Sequence, residues 1–140
     1  MEAERSGLGI IFHSGSYDRI QHGMAIGLAA LALGREVKLF FTYWALEYLK
    51  KEGAPSVEDG KGQEDSPHQQ ILVDKVREGH MEPFSELVTQ ARALGGRFYT
   101  CTNSMSILNI ARNELIEAVE RPMGLTTFLR ETAQDQVIFV

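Results

Sequence analysis

One cysteine, Cys101, lies where an apolar stretch meets small polar residues in the segment RFYTCTNSMSILN (97–109). A cysteine thiolate is a nucleophile, and its reactivity depends on its electrostatic surroundings. Asn103 and Ser104 predict that a helix begins close behind Cys101, and unpaired N–H groups at a helix start stabilise an anion. The position therefore favours a reactive sulfur. A buried, inert thiol is the alternative that the residues alone leave open.

Apolar stretches alternate with helical patterns along the chain, and this order determines where Cys101 would lie. Short runs rich in Ile, Val and Phe predict buried strands, and apolar residues at helical spacing predict helices between them. The pieces SMSILNIA and NELIEAVE predict short helical or strand segments around a bend at Arg112-Asn113. The predicted strands are 7–13, 35–44, 97–101 and 136–140, and the predicted helices are 18–34, 45–51, 66–79, 83–96 and 123–135.

Several details of these elements are specific enough to be checked. Asp18 is expected to cap the first helix, with Gln21 as its reciprocal partner and Gly34 at the end. The second strand should place Phe40 on one face and its neighbours Val37, Leu39 and Phe41 on the other. The helix that begins at Pro83 should bury the apolar face Phe84, Leu87, Val88, Ala91 and Leu94. Ser66 and Pro67 are expected to open the helix over 66–79.

The strand order predicts a parallel sheet with helices on both faces, because no Asn-Gly-type hairpin signal joins two strands. Ligands bind such sheets beyond the carboxyl ends of the strands. His13 is a candidate to hold or exchange the thiol proton, with a backbone-bonded histidine as the alternative. Trp44 with Tyr43 is a candidate wall of an apolar pocket or a subunit contact, with core packing as the alternative. The candidate site residues at this rim are His13, Ser14, Tyr17, Trp44, Cys101, Thr102, Asn103 and Ser104.

Composition and charge exclude several classes of protein. The 140 residues fit one domain, 1–140, with a flexible polar insertion at about 53–80. The net charge of −5 disfavours direct nucleic-acid binding, since phosphate affinity comes from clustered Lys and Arg. The longest apolar stretch, GMAIGLAALALG, is too short to span a bilayer. With no signal-peptide pattern and one cysteine, we expect a cytoplasmic protein without membrane contact.

Recognised cofactor and metal motifs are absent from the sequence. Cys101 and four scattered histidines lack the spacing of a metal site, so we expect no metal. The turn SGSYD lacks both the P-loop lysine and the Gly-x-Gly-x-x-Gly pattern, and no Cys-x-x-Cys pair is present. We therefore expect no cofactor.

Two long segments resemble the DsrE/DsrF-like family of sulfur-metabolism proteins. HSGSYDRIQHGMAIGLAALALGREVKLFF is similar to the family's first strand, polar turn, Ala/Leu-rich helix and second strand. GGRFYTCTNSMSILNIARNELIEAVERPMGLTTFLRETAQDQVIFV is similar to its third strand ending in cysteine, its ELI…VE segment and its closing helix and strand. The Cys-x-x-Ser spacing followed by Met is similar to one branch of the family. The insertion at 53–80 departs from the family pattern.

The resemblance implies a three-layer α/β/α fold with a mostly parallel central sheet. It also implies a sulfur relay in which Cys101 carries sulfane sulfur as a persulfide between donor and acceptor proteins with reactive thiols. Assembly into a homo-oligomer, with a trimer or a hexamer as candidate states, is implied too. Whether the chain is a sulfurtransferase in the enzymatic sense stays open. The alternatives are a small-molecule or nucleotide-binding protein, with Trp44 and Tyr43 lining the pocket, and a single-cysteine thiol redox sensor.

Overall fold

A computed structural model describes residues 6–57 and 68–140 of the chain. These residues form a parallel sheet of five strands in the order β4-β3-β2-β1-β5. On one side of β1 lie β2, β3 and β4 in that order, and β5 pairs with β1 on the other side. The strands are β1 (Leu8–Phe12), β2 (Val37–Phe41), β3 (Arg97–Cys101), β4 (Val119–Met123) and β5 (Gln136–Phe139).

Helices connect these strands, as an all-parallel sheet requires. Two short 3₁₀ turns, Glu47–Leu49 and Arg112–Glu114, supplement them. The helices are α1 (Tyr17–Ala32), α2 (Tyr43–Leu46), α3 (Gln69–Arg77), α4 (Phe84–Ala93), α5 (Thr102–Leu108) and α6 (Leu125–Glu131).

One face of the sheet packs against α1, which in turn contacts α4. Alternate strand residues point to this face and join one large buried cluster with the inner sides of both helices. Gly23 brings α1 close to the strands, because a Cβ atom at that position would run into the ring of Phe12. The strand residues of this cluster include Leu8, Ile10, Phe12, Val37, Leu39, Phe41 and Phe98.

The other face of the sheet is covered by α6. The ring of Phe128 stacks on the ring of Phe40 at 4.4 Å between centroids, and the two planes differ by 7°. Gly9 makes room for this packing, since a Cβ there would lie 3.1 Å from the Phe128 ring. A smaller buried cluster results, formed by Phe40, Tyr99, Cys101, Met123 and Phe128. The α/β/α layering implied by the resemblance is confirmed.

Most predicted elements are confirmed, among them β1, β2, β3, β5 and the opposite faces of Phe40 and its neighbours. Gly34, with φ of +80°, follows the end of α1 as expected. Strand β4 begins within the piece NELIEAVE, for which the sequence left helix and strand both open, and it ends at Met123, which was expected to begin the last helix. Glu120, Arg121 and Pro122 interrupt its apolar pattern, and a proline is tolerated there because β4 lies at the edge of the sheet.

Three local predictions are wrong. Ser16, not Asp18, is the N-cap residue of α1, and Asp18 lies in the first turn, where it accepts a hydrogen bond from the Ser16 hydroxyl. Leu94 follows the end of α4 and is 55% exposed instead of joining its buried face. Tyr43 and Trp44 begin α2 instead of ending a strand.

The predicted insertion at 53–80 contains the short helix α3, as its Pro-led helical pattern predicted. Only Val73 of this helix is fully buried. The expected opening residues Ser66 and Pro67 lie outside the described residues.

Candidate functional site

Cys101 is the last residue of β3 and the N-cap residue of α5. Its position at the carboxyl end of a parallel strand is therefore confirmed. The residue is 6% exposed and packs in the small cluster under α6. Its Cα pairs with that of Met123 on the edge strand β4. Cys101 is thus a thiol at the rim of the sheet, covered mainly by apolar groups.

The first turn of α5 follows Cys101 directly. Thr102 and Asn103 are exposed, whereas Ser104 is fully buried at 0% exposure. Within the described part of the chain, the Ser104 hydroxyl has no hydrogen-bond partner. A buried hydroxyl without a partner is uncommon, because its desolvation is not repaid. Here it lies three residues from the cysteine, in the helix that Cys101 caps.

His13 lies in the same row of the sheet as Cys101, but not beside it. Phe12 pairs with Phe41, and Phe41 pairs with Thr100. Thr42, the residue that follows β2, therefore lies between His13 and Cys101. Neighbouring strands are about 4.8 Å apart, which sets the two Cα atoms on the order of 10 Å apart. The His13 ring instead lies 4.9 Å from the ring of Tyr43 and 5.5 Å from that of Phe139.

The turn after β2 contains a residue with an unusual backbone conformation, Tyr43. Tyr43 has a φ of +44°, a conformation that costs energy for a residue with a bulky side chain. Such residues are concentrated at functional sites, because the surrounding structure must hold them in place. Trp44, the next residue, is 52% exposed, and its Cβ lies close against Gly15. No sequence pattern predicts the positive φ of Tyr43.

Ser14 and Tyr17 do not join Cys101. The Ser14 hydroxyl accepts a hydrogen bond from the Ser16 backbone N–H at 3.0 Å and so shapes the turn before α1. Tyr17 is buried in the large cluster on the opposite face of the sheet, with its ring 6.4 Å from the ring of Tyr48. Tyr17 therefore lies on the opposite face of the sheet from Cys101, and Ser14 lies in the turn between β1 and α1.

Arg121 was not among the predicted site residues, and it lies on β4, the strand that pairs with Tyr99 and Cys101 of β3. Its guanidinium lies 5.4 Å from the centre of the Tyr99 ring. Tyr99 belongs to the same buried cluster as Cys101. Glu131 of α6 accepts a hydrogen bond from the guanidinium at 2.9 Å, and this carboxylate raises the pKa of Arg121 above its ordinary value. The pair ties β4 to α6 beside the cysteine. The sequence did not suggest Arg121, because it did not predict β4 over its full length.

Neither a metal cluster nor a membrane span is found in residues 6–57 and 68–140. No three His, Cys, Asp or Glu side chains of these ranges converge as a metal site would require. None of the helices there has the length and apolarity needed to cross a bilayer.

The chain is thus a parallel α/β protein with its one cysteine at the rim of the sheet, at the start of a helix. Comparisons with known proteins give the family. The model of the DsrE/DsrF-like family matches residues 7–140, and the chain belongs to this family. The chain is 21% identical, over 148 aligned positions, to the uncharacterized protein YrkE of Bacillus subtilis (strain 168). That alignment covers 91% of this chain and 92% of YrkE.

Two solved structures share the fold. The crystal structure of the ychN protein from E. coli superposes with a TM-score of 0.64 at 14% identity, covering 96% of this chain and 99% of that one. The structure of MTH1491, a protein of unknown function from Methanobacterium thermoautotrophicum, gives a TM-score of 0.50 at 16% identity. It covers 95% of this chain and 99% of that one. At these identities the likeness concerns the fold alone.

Proposed function

We propose that the protein is a sulfur carrier that holds sulfane sulfur as a persulfide on Cys101 and passes it to a thiol of a partner protein. The observation that carries the proposal is the placement of the lone cysteine at the strand end where α5 begins. Membership of the DsrE/DsrF-like family supports it. The chemistry suits a reducing compartment such as the cytoplasm, where a cysteine stays a thiol.

The proposed reaction is two successive displacements at sulfur. The Cys101 thiolate attacks the outer sulfur of a donor persulfide, an S–S bond forms on Cys101, and the donor leaves as its thiolate. In the second step, an acceptor thiolate attacks the outer sulfur on Cys101 and releases the Cys101 thiolate. Each step breaks one S–S bond and forms another, so neither an oxidant nor a reductant is consumed.

Ser104 is the proposed stabilising group for the loaded state. Its hydroxyl is buried and makes no hydrogen bond to Cys101 in the free protein. A persulfide extends the side chain by one S–S bond of about 2.05 Å, which changes what the sulfur can reach. We expect the Ser104 hydroxyl to donate to the persulfide, with Thr102 and Asn103 contributing from the exposed side of the same turn. His13, held by Tyr43 and Phe139, is proposed to act only through an intervening group.

Access is the second requirement of the proposal. Cys101 is 6% exposed, and the cluster around it includes Phe128 of α6. Transfer to a protein thiol therefore requires a local movement that uncovers the sulfur. The edge of the sheet at β4 is the shortest route, because Met123 is the neighbour of Cys101 on that strand.

Cyanolysis of the loaded protein tests whether the sulfur can be carried and passed on. The protein is incubated with glutathione persulfide, freed of small molecules and treated with cyanide, which converts sulfane sulfur to thiocyanate. We expect about one thiocyanate per chain for the natural protein and for the exposed-site control Ser106→Ala. We expect none for Cys101→Ser. Equal thiocyanate from Cys101→Ser, or none from the natural protein, would contradict the proposal.

A further inference from the structure

A cavity of about 750 Å³ lies on the face of the sheet opposite to Cys101. Its walls are α4, the segment that follows the 3₁₀ turn Glu47–Leu49, and the segment that leads into β4. This volume falls in the range of small-molecule sites, which are concave and mostly apolar. The proposed sulfur chemistry makes no use of the cavity.

One side of α4 forms the long wall of the cavity. Phe84, Val88 and Arg92 are spaced four residues apart, so they lie on the same side of the helix. Eight residues of helix span about 12 Å, which gives the wall its length. An elongated ligand body would fit along it.

Three aromatic rings form the apolar end of the cavity. Tyr48 lies between the other two, with ring centres 6.4 Å from Tyr17 and 5.6 Å from Phe84. The Tyr48 hydroxyl donates a hydrogen bond to the backbone carbonyl of Gly15 at 2.8 Å, which fixes its ring. The ligand body would therefore meet a rigid aromatic surface.

The described lining of the cavity carries charged side chains. The charged residues among the described lining are Lys50, Lys51 and Arg92, all cationic, in a chain whose net charge is −5. Lys50 is paired with Glu47 at 3.2 Å. Lys51 and Arg92 are exposed, and Lys51 also borders a surface hollow with Glu52 and Glu114. Lys51 and Arg92 are thus the two cations of the described lining that are available to an anionic ligand.

The buried hydroxyl of Tyr17 is an independent sign of a ligand. Tyr17 lines the cavity and is 3% exposed. The backbone N–H of Phe84 lies near its hydroxyl oxygen, but among the described residues nothing accepts a hydrogen bond from the hydroxyl. Buried hydroxyls normally find a partner. A ligand oxygen would supply the missing acceptor.

We propose that this cavity binds an organic anion with an apolar, aromatic or acyl body. The acidic oxygen atoms of the ligand accept a hydrogen bond from Tyr17, and Lys51 and Arg92 supply the compensating positive charge. The body lies against Phe84, Tyr48 and Val88. The site is separate from Cys101 and does not depend on the sulfur-carrier proposal.

Two fluorescent probes of similar shape test this site. We expect the anionic 8-anilinonaphthalene-1-sulfonate to bind the full chain more tightly than the uncharged N-phenyl-1-naphthylamine. The double variant Lys51→Gln/Arg92→Gln should weaken sulfonate binding roughly tenfold and leave binding of the uncharged probe unchanged. The matched double variant Lys75→Gln/Arg130→Gln, which removes the same charge from exposed positions outside the cavity, should bind the sulfonate as the natural protein does.

Two further variants locate the probe. Ala54→Trp, at an exposed position of the lining, should block both probes. Tyr17→Phe should weaken the sulfonate severalfold and spare the uncharged probe. Equal loss of sulfonate binding in the two double variants, or unchanged sulfonate binding in Ala54→Trp, would overturn the proposed site. Unchanged sulfonate binding in Tyr17→Phe would overturn the role given to its hydroxyl.

Discussion

Ser104 is fully buried, and its hydroxyl has no hydrogen-bond partner among residues 6–57 and 68–140. It lies three residues after the only cysteine of the sequence. Removing an unsatisfied buried hydroxyl should not cost folding free energy, because no hydrogen bond is lost. We therefore expect Ser104→Ala to leave the free energy of unfolding unchanged or to raise it by about 1 kcal/mol, measured by urea denaturation.

The persulfide on Cys101 should nevertheless decay faster in Ser104→Ala than in the natural protein, because its proposed hydrogen-bond donor is gone. The lifetime can be followed by thiocyanate yield against time after loading. Ser106→Ala, at an exposed position of the same helix, serves as control. A persulfide of natural lifetime in Ser104→Ala would remove Ser104 from the site.

Tyr17 makes stability sensitive to alkaline pH. Burial raises the pKa of its hydroxyl above the ordinary value, and the nearby Phe84 backbone amide offsets part of that rise. Above about pH 10 the unfolded chain loses this proton while the native chain keeps it, so stability should fall as pH rises. Below that pH the group has no such effect.

Urea denaturation of the natural protein and Tyr17→Phe between about pH 8 and 11 measures this contribution. The variant lacks the hydroxyl, so we expect its free energy of unfolding to fall less steeply above about pH 10. Parallel curves for the two proteins would contradict this expectation.

At the residue scale, the sequence located the cysteine but not its surroundings. The apolar run RFYT followed by small polar residues was enough to predict a strand end at Cys101. Three features of the site depend on tertiary packing instead. They are the Ser104 hydroxyl, which has no partner among the described residues, the φ of Tyr43 and the position of Tyr17 on the other face of the sheet. No local pattern encodes them.

At the level of elements, α6 packs on the face of the sheet that carries Cys101. Phe128 is fully buried, stacks on Phe40 and shares the cluster of Cys101. Truncation of such a side chain leaves a cavity, so Phe128→Ala should lower the free energy of unfolding by about 3–5 kcal/mol. Leu125→Ala, on the exposed side of the same helix at 50% exposure, should cost much less.

The same variants report on access to the thiol. We expect iodoacetamide to alkylate Cys101 faster in Phe128→Ala than in Leu125→Ala or the natural protein under native conditions. Alkylation at equal rates in all three proteins would show that α6 does not limit access to Cys101.

The elements with clear periodicity were the predictable ones. The apolar residues of α1 follow the 3.6-residue period of a buried helix face, and Val37, Leu39 and Phe41 of β2 follow the 2-residue period of a strand face. Strand β3 is buried on both faces and reads as a short continuous run. Strand β4 has the sequence VERPM, in which two charged residues and a proline interrupt the apolar pattern of a strand. The short helix α5 contacts α2 and β3. An edge strand needs fewer apolar residues and tolerates proline, so its signal in the sequence is weak.

At the scale of the whole molecule, the face covered by α6 carries exposed apolar side chains. Leu125 and Leu129 lie one turn apart on α6 at 50% and 48% exposure. Val137 of strand β5 is 39% exposed. Exposed apolar side chains on one face are typical of protein contact surfaces, and we expect a second copy of the chain to cover these residues.

Sedimentation velocity tests this expectation. Leu125→Glu/Leu129→Glu should reduce self-association of the protein at micromolar concentration. Leu33→Glu/Leu94→Glu, which places the same charges at exposed leucines near the ends of α1 and α4, should not. A natural protein that sediments as a monomer, or equal effects of the two pairs, would contradict assembly through α6.

Intact-mass spectrometry after incubation with a persulfide donor tests whether Cys101 carries a sulfane sulfur. The natural protein should gain the mass of one sulfur atom and lose it again with a thiol acceptor, and Cys101→Ser should show no gain. A natural protein that gains no sulfur, or a sulfur adduct that persists in Cys101→Ser, would contradict a carrier role for Cys101.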